Sequence, residues 1–85
     1  MDKMIKVILL TNNKKLISEI VEVGADIGEP DCKLIKPYEI WEGDSLCPWM
    51  MDYTQQSEFM ISSDKIITIA DPKTDLLEKY KDLIK

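Results

Sequence analysis

The side chains able to do chemistry are few in kind. The chain carries two cysteines, Cys32 and Cys47, 16 acidic residues against 11 basic ones, and no histidine. Without histidine the common nucleophile–base pairs and mixed Cys/His zinc sites are excluded, and two thiols cannot complete a four-thiolate site within one chain. Cys32 has Lys33, Lys36 and neighbouring acids for company. A reactive thiol is the sharper reading and a loop-edge or partly buried thiol the simpler one. Cys47, beside Pro48 and Trp49, reads as packing. Asp26, Glu29 and Asp31 fall in one loop and suggest calcium, but their spacing matches no EF-hand pattern and a solvated loop accounts for them. Gly24 and Gly28 lack the third glycine and the strand-to-helix setting of a dinucleotide site. Glu42, Asp44 and Asp52 read as charges that keep an assembly soluble. No catalytic residue, metal ligand or cofactor site is assigned, and the expectation is a non-enzyme.

The elements that position these groups belong to one small domain, residues 1–85. A domain of this size buries only about two-thirds of its unfolded surface and is marginal alone. With at most one disulfide available and no metal site, subunit association is the expected supplement. The formal charge of -5 disfavours non-specific attraction to phosphate backbones, although repetition of a local basic rim around an oligomer could focus a field. The longest apolar run, Val7 to Leu10, is far short of the roughly 20 residues of a membrane helix, and no signal-peptide core is present. The expected location is cytoplasmic, with no membrane partner and with reduced thiols.

Met4 to Leu10 reads as a strand with Ile5, Val7 and Leu9 together on a buried face, and Thr11 to Lys14 as a turn in which the paired asparagines take positive φ. Lys15 to Val23 alternates imperfectly. Leu16, Ile20 and Val23 also fit a helix, but the β-branched residues favour a long, bent second strand. Gly24 to Asp31 is a loop, and Lys33 to Glu42 a third strand bent or interrupted at Pro37. Gly43 to Glu58 is an irregular excursion bearing Leu46, Trp49, Met50, Met51 and Tyr53. Its large side chains either pack on the core or a subunit interface, or form a recognition patch with Trp49, Met50 and Tyr53 exposed. Phe59 to Ile61 and Ile66 to Ile69 are apolar arms around the polar residues 62–65, a tight strand-turn-strand that reads as a hairpin. Asp71 and Pro72 suit a helix start, and Leu76, Leu77, Tyr80, Leu83 and Ile84 form one stripe over about 72–84. The sum is an all-β fold: a small, five-stranded, strongly bent antiparallel barrel over about 4–69 with a C-terminal helix.

The stretch Phe59-Met60-Ile61-Ser62-Ser63-Asp64-Lys65-Ile66-Ile67-Thr68-Ile69 resembles the second motif of Sm and Sm-like proteins. Leu10 to Asn13, Lys15 to Val23 and Lys33 to Ile40 resemble the first motif more loosely, so the likeness spans Met4 to Ile69. In its excursion and terminal helix the whole chain is also similar to the small Sm-like proteins of marine cyanophages. The resemblance implies an SH3-like barrel, homo-oligomeric rings of roughly five to seven subunits, and single-stranded RNA bound near the pore. Phage origin would place the protein in the host cytoplasm. Ser62 stands where the motif has its arginine and Ser63 where it has its glycine, so the base-supporting cation is missing. Asp31 matches the first motif's aspartate, but the aromatic and the asparagine that accompany it have no counterpart near Cys32 to Leu34.

Two functions follow as expectations. One is a divergent RNA-binding ring with Lys33, Lys36, Tyr38, Ser62, Ser63 and Lys65 around the pore. The other is a structural or protein-interaction ring without RNA, presenting the Trp49, Met50 and Tyr53 patch. In either, Phe59, Ile61, Ile67 and Ile69 supply the subunit interface by pairing the last strand of one copy with the preceding strand of the next.

Overall fold

The computed structural model describes residues 4–85. Six strands run in the order β1 (Ile5–Leu10), β2 (Lys15–Glu22), β3 (Cys32–Ile40), β4 (Leu46–Pro48), β5 (Glu58–Ile61) and β6 (Ile66–Ala70), followed by one helix, α1 (Thr74–Leu83). All pairings are antiparallel, and the sheet order is β4-β3-β2-β1-β6, with β5 also on β3. The β-rich architecture and the terminal helix match the sequence expectation. The extra strand is β4, three residues that the excursion contributes.

The two asparagines close the β1–β2 turn, but only Asn13 takes the expected positive φ, at 67; Asn12 acts through its side chain, whose oxygen accepts the Lys14 N–H at 3.1 Å. The core face collects Ile8 and Leu10 from β1, Leu16 and Ile20 from β2, and Cys32 and Leu34 from β3. Ile61 of β5 and Ile66 of β6 pack against this same cluster, so these two strands share one core with β1, β2 and β3. Ile8 and Leu10 are buried, whereas Ile5, Val7 and Leu9 are only half-buried on the opposite face, which reverses the expected parity of β1. The reversal has a cause: Ile8 and Leu10 share a face with Leu16, Ile20, Cys32 and Leu34, and that face forms the core.

Pro37 explains the outer half of the fold. It cannot donate to a ladder, and the β2–β3 register shifts where Lys36 and Pro37 lie opposite Ser18. Lys36 adopts φ 53, in the left-handed region. The bulge divides the outer edge of β3 into two parts. β5 pairs with Cys32 to Ile35, β4 pairs with Tyr38 to Ile40, and the chain between them leaves the sheet.

The bulge also anchors α1. The Tyr80 hydroxyl donates to the Lys36 carbonyl at 2.8 Å and lies 3.3 Å from that of Ile35. Its ring meets Tyr38 edge-on at 5.7 Å. Tyr80 is fully buried, and Ile17, which pairs with Tyr38 across the sheet, is buried with it. The helix therefore docks on its own sheet, through the centre of the expected stripe; Leu83, at its end, is exposed. Asp71 does not cap the helix. Its carboxylate engages the Lys6 ammonium, and α1 begins at Thr74 with no side-chain cap.

The expected hairpin at Phe59 to Ile69 is not one. A single 3-10 turn over Ser63–Lys65 separates β5 from β6, and the two arms then pair with different neighbours, β5 with β3 and β6 with β1. Among the described residues the outer edges of β5 and β6 are unpaired.

Candidate functional site

The loop before β3 and the turn after β5 are tied together by one carboxylate. Asp31 accepts the Ser63 N–H on Oδ1 and the Ser63 hydroxyl on Oδ2, both at 2.7 Å. The Ser63 hydroxyl and amide bonds hold the Asp31 carboxyl below its ordinary range. Next to it the Ser62 hydroxyl bonds the Asp64 carboxylate, which lowers the Asp64 pKa in the same way. These two loops line a hollow of about 350 Å³ whose charged groups are Asp26, Glu29, Asp31 and Asp64. The hollow is polar and anionic. It can accept hydrogen bonds, but it offers no cation to a phosphate, and among the described residues no three Cys, Asp or Glu side chains converge as metal ligands.

The expected RNA-binding residues are brought together only in part. Ser62 and Ser63 line the hollow, and Lys65 follows them in the same turn, its carbonyl accepting the Thr11 N–H at 2.9 Å. Lys33 is committed elsewhere, with its Nζ 2.7 Å from Glu58 Oε1 across the β3–β5 ladder. Lys36 sits in the bulge, about 10 Å along β3 from Lys33, and Tyr38 lies past it at about 16 Å. There Lys36 reaches the Ile84 carbonyl at the end of α1, a favourable place for a cation, and Tyr38 packs on Tyr80. One half of the set serves helix docking and the other sits beside carboxylates.

The expected interface residues divide as well. Phe59 and Ile61 are half-buried, Phe59 against Trp49 at 5.5 Å and Ile61 against the core. Ile67 and Ile69 are about half-exposed on β6, and Met60, on the outer face of β5, is exposed too. An apolar hollow of about 350 Å³, lined by Cys32, Ile66, Ile67 and Ile69 among others, borders β6. Desolvation pushes the Cys32 thiol up and the charge of Asp31 pushes it further, which is opposite to what a reactive thiol needs.

The excursion mixes both readings of its large side chains. Trp49 packs on the core and on Phe59, so it is not an exposed recognition residue. Met50, Met51 and Tyr53 are exposed, and Tyr53 is 82% so. Met50 takes φ 67, and its carbonyl accepts the N–H groups of Tyr53 and Thr54, which makes the tight turn that presents these side chains outward. A residue that sequence reasoning missed joins them. Trp41, 54% exposed, donates its indole N–H to Glu39 Oε2 at 2.8 Å. The exposure of an aromatic just after a strand end carries no periodic signal, so only the hairpin geometry could place it.

With this geometry in hand, comparison with known families is informative in one respect. A family of unknown function, DUF6561, matches residues 3–85. The chain belongs to this family. No curated protein matches it. The match spans the sheet, the excursion and α1 together, so the helix docked by Tyr80 lies within the family's domain. No helix among the described residues is long and apolar enough to cross a membrane.

Proposed function

We propose that this DUF6561 protein is a non-enzymatic assembly unit of Sm-like architecture. Its β6 edge pairs with the β5 edge of the next copy, building a closed ring of roughly five to seven subunits that serves as a structural or protein-interaction platform. One observation carries the reading: β5 and β6 each leave an outer edge unpaired, as the three-residue β4 also does, and Met60, Ile67 and Ile69 are exposed on β5 and β6. Open apolar edges are templates for pairing, and soluble proteins normally blunt them. The two edges are different strands, so pairing is head-to-tail, and a head-to-tail contact that closes makes a ring. The apolar hollow beside β6 would be filled by the incoming strand.

Single-stranded RNA is the rival cargo. The anionic hollow at Asp31 and Ser63, and the engagement of Lys33 with Glu58, weigh against it. The test is mass measurement by native mass spectrometry and light scattering, combined with titration of short U-rich and A-rich RNA at low salt. The expected result is a multimer that Ile67→Glu converts to a folded monomer, with no RNA bound. A protein that is monomeric at every concentration would overturn assembly. Salt-sensitive RNA binding that disappears in Lys33→Ala and Lys65→Ala variants would overturn the RNA-free reading.

A further inference from the structure

The outer face of the β3–β4 hairpin and its excursion has features that edge pairing does not use. Residues 37–64 contain Glu39, Glu42, Asp44, Asp52, Glu58 and Asp64 and not one lysine or arginine. The same stretch exposes Trp41, Met50, Met51 and Tyr53. Two hollows meet at Trp41. One, of about 870 Å³, runs over Trp41, Glu42, Asp44 and the β1–β2 turn, and the other, of about 300 Å³, runs between Trp41, Cys47, Met51 and Tyr53. Lysines also approach from other elements, and two of the three are engaged. Lys14 lies 3.5 Å from Glu39, and Lys79 donates to the Asp44 carbonyl at 2.7 Å. Lys14 lines both hollows, and Lys15, which lines the larger, forms no ion pair among the described residues. Among the described residues Glu42, Asp44 and Asp52 form no ion pair.

We infer that this face is a docking site for a basic amphipathic helix of a partner protein. Charge complementarity chooses the occupant: among the described residues around this solvent-facing surface the unpaired carboxylates of Glu42, Asp44 and Asp52 outnumber the one unpaired lysine, Lys15, and the excess attracts Lys and Arg and repels phosphate. The side chains suit apolar anchors at helical spacing. Met50 and Met51 are unbranched and adapt to varied shapes, the chemistry of surfaces that take amphipathic helices into a groove. The Trp41 indole, 54% exposed, is held by its N–H bond to Glu39, so a cation can stack on a ring whose orientation is already fixed. Tyr53 supplies a second rigid aromatic on the other rim. The site lies within one protomer and does not depend on the proposed ring.

The test uses the full chain and three probes. The first is a synthetic amphipathic helix with Leu and Trp at i, i+4 spacing and Lys or Arg between them. The second has the same apolar pattern with Glu in place of the cations, and the third is U-rich single-stranded RNA. Binding is read by isothermal titration and by amide chemical shifts. The basic helix should bind with an affinity that falls as salt is raised, and shifts should concentrate on residues 41–53. Trp41→Ala and Tyr53→Ala should each weaken it about tenfold. Both side chains are exposed, and an unchanged circular dichroism spectrum verifies the fold. Asp52→Lys should weaken it as well, and Ile67→Glu should not. No binding, equal binding of the acidic helix, binding insensitive to Trp41→Ala and Tyr53→Ala, or RNA shifting residues 41–53 would overturn the inference. So would self-association that Tyr53→Ala abolishes, because the occupant would then be a second copy.

Discussion

Replacing Tyr80 by phenylalanine separates the two ways in which one side chain fastens α1. The hydroxyl bonds the Lys36 carbonyl at 2.8 Å, while the buried ring packs on Tyr38. Removal of the hydroxyl alone should cost about 1 kcal/mol near neutral pH, the net value of one such hydrogen bond. Tyr80→Ala, which also removes the ring, should cost about 3 to 5 kcal/mol, comparable to the whole stability of a small domain. Burial raises the Tyr80 pKa from 10.0 to about 12. The folded state therefore keeps its phenolic proton where the unfolded chain has released it. Stability from this group is fully present below about pH 10 and is lost as pH rises through 12. At about 1.4 kcal/mol per pH unit, roughly 1 kcal/mol is gone by pH 11 and about 2 by pH 12. The phenylalanine variant has no such proton. Its deficit at pH 8 should close near pH 11 and then change sign, while the titration of the lysines affects both proteins alike. Urea unfolding followed by circular dichroism between pH 8 and 11.5 measures this. A constant gap between the two proteins across that range would refute the buried, hydrogen-bonded phenol.

Three further outcomes are expected. The Asp31 carboxyl should titrate below its ordinary value in a carbon-detected NMR experiment; because its folded pKa is depressed, the link to Ser63 should be intact above about pH 4 and lost as pH falls. In Asp31→Asn the Ser63 amide should exchange faster at neutral pH, and equal exchange rates would show that the two loops are not joined by this carboxylate. Gly28→Ala should destabilise by about 1 kcal/mol because Gly28 sits at φ 89, whereas Gly24→Ala, with no positive φ and open space around the new methyl, should be neutral or slightly stabilising in thermal melts. Leu34→Ala removes a fully buried side chain from the centre of the core and should cost about 2 to 5 kcal/mol, enough to leave much of the protein unfolded by circular dichroism at ambient temperature.

The sequence made some of this legible for clear physical reasons. Paired asparagines, Pro37 and the Tyr80 stripe are local signals, and each appears in the structure as a turn, a bulge and a docked helix. What stayed hidden depends on partners that periodicity does not name. Ile5, Val7 and Leu9 alternate as well as Ile8 and Leu10 do, so alternation alone does not say which set faces the Leu16, Ile20, Cys32 and Leu34 cluster. Asp71 has the chemistry of a cap, yet Lys6, remote in sequence, takes its carboxylate. The apolar arms around Ser62 to Lys65 fit a hairpin, and only the sheet order shows that each arm pairs elsewhere. For the candidate site, residue types suggested Lys33, Lys36 and Tyr38, whereas Glu58, Ile84 and Tyr80 engage them.

The pairing of β1 with β6 also sets the order in which the molecule can be made. β1 leaves the ribosome well before β6, and its second neighbour is not complete until Ala70 has been synthesised. At about 5 to 20 residues per second, that edge stays open for several seconds. Over that interval Val7 to Leu10, the longest apolar run of the chain, has a partner on one side only. Non-local closure of this kind folds on the slow, millisecond-to-second side for domains of this size. The nascent chain is thus most prone to aggregation before its last strand arrives, and truncation after Asp64 should yield insoluble material even though β1, β2, β3 and β5 are all present.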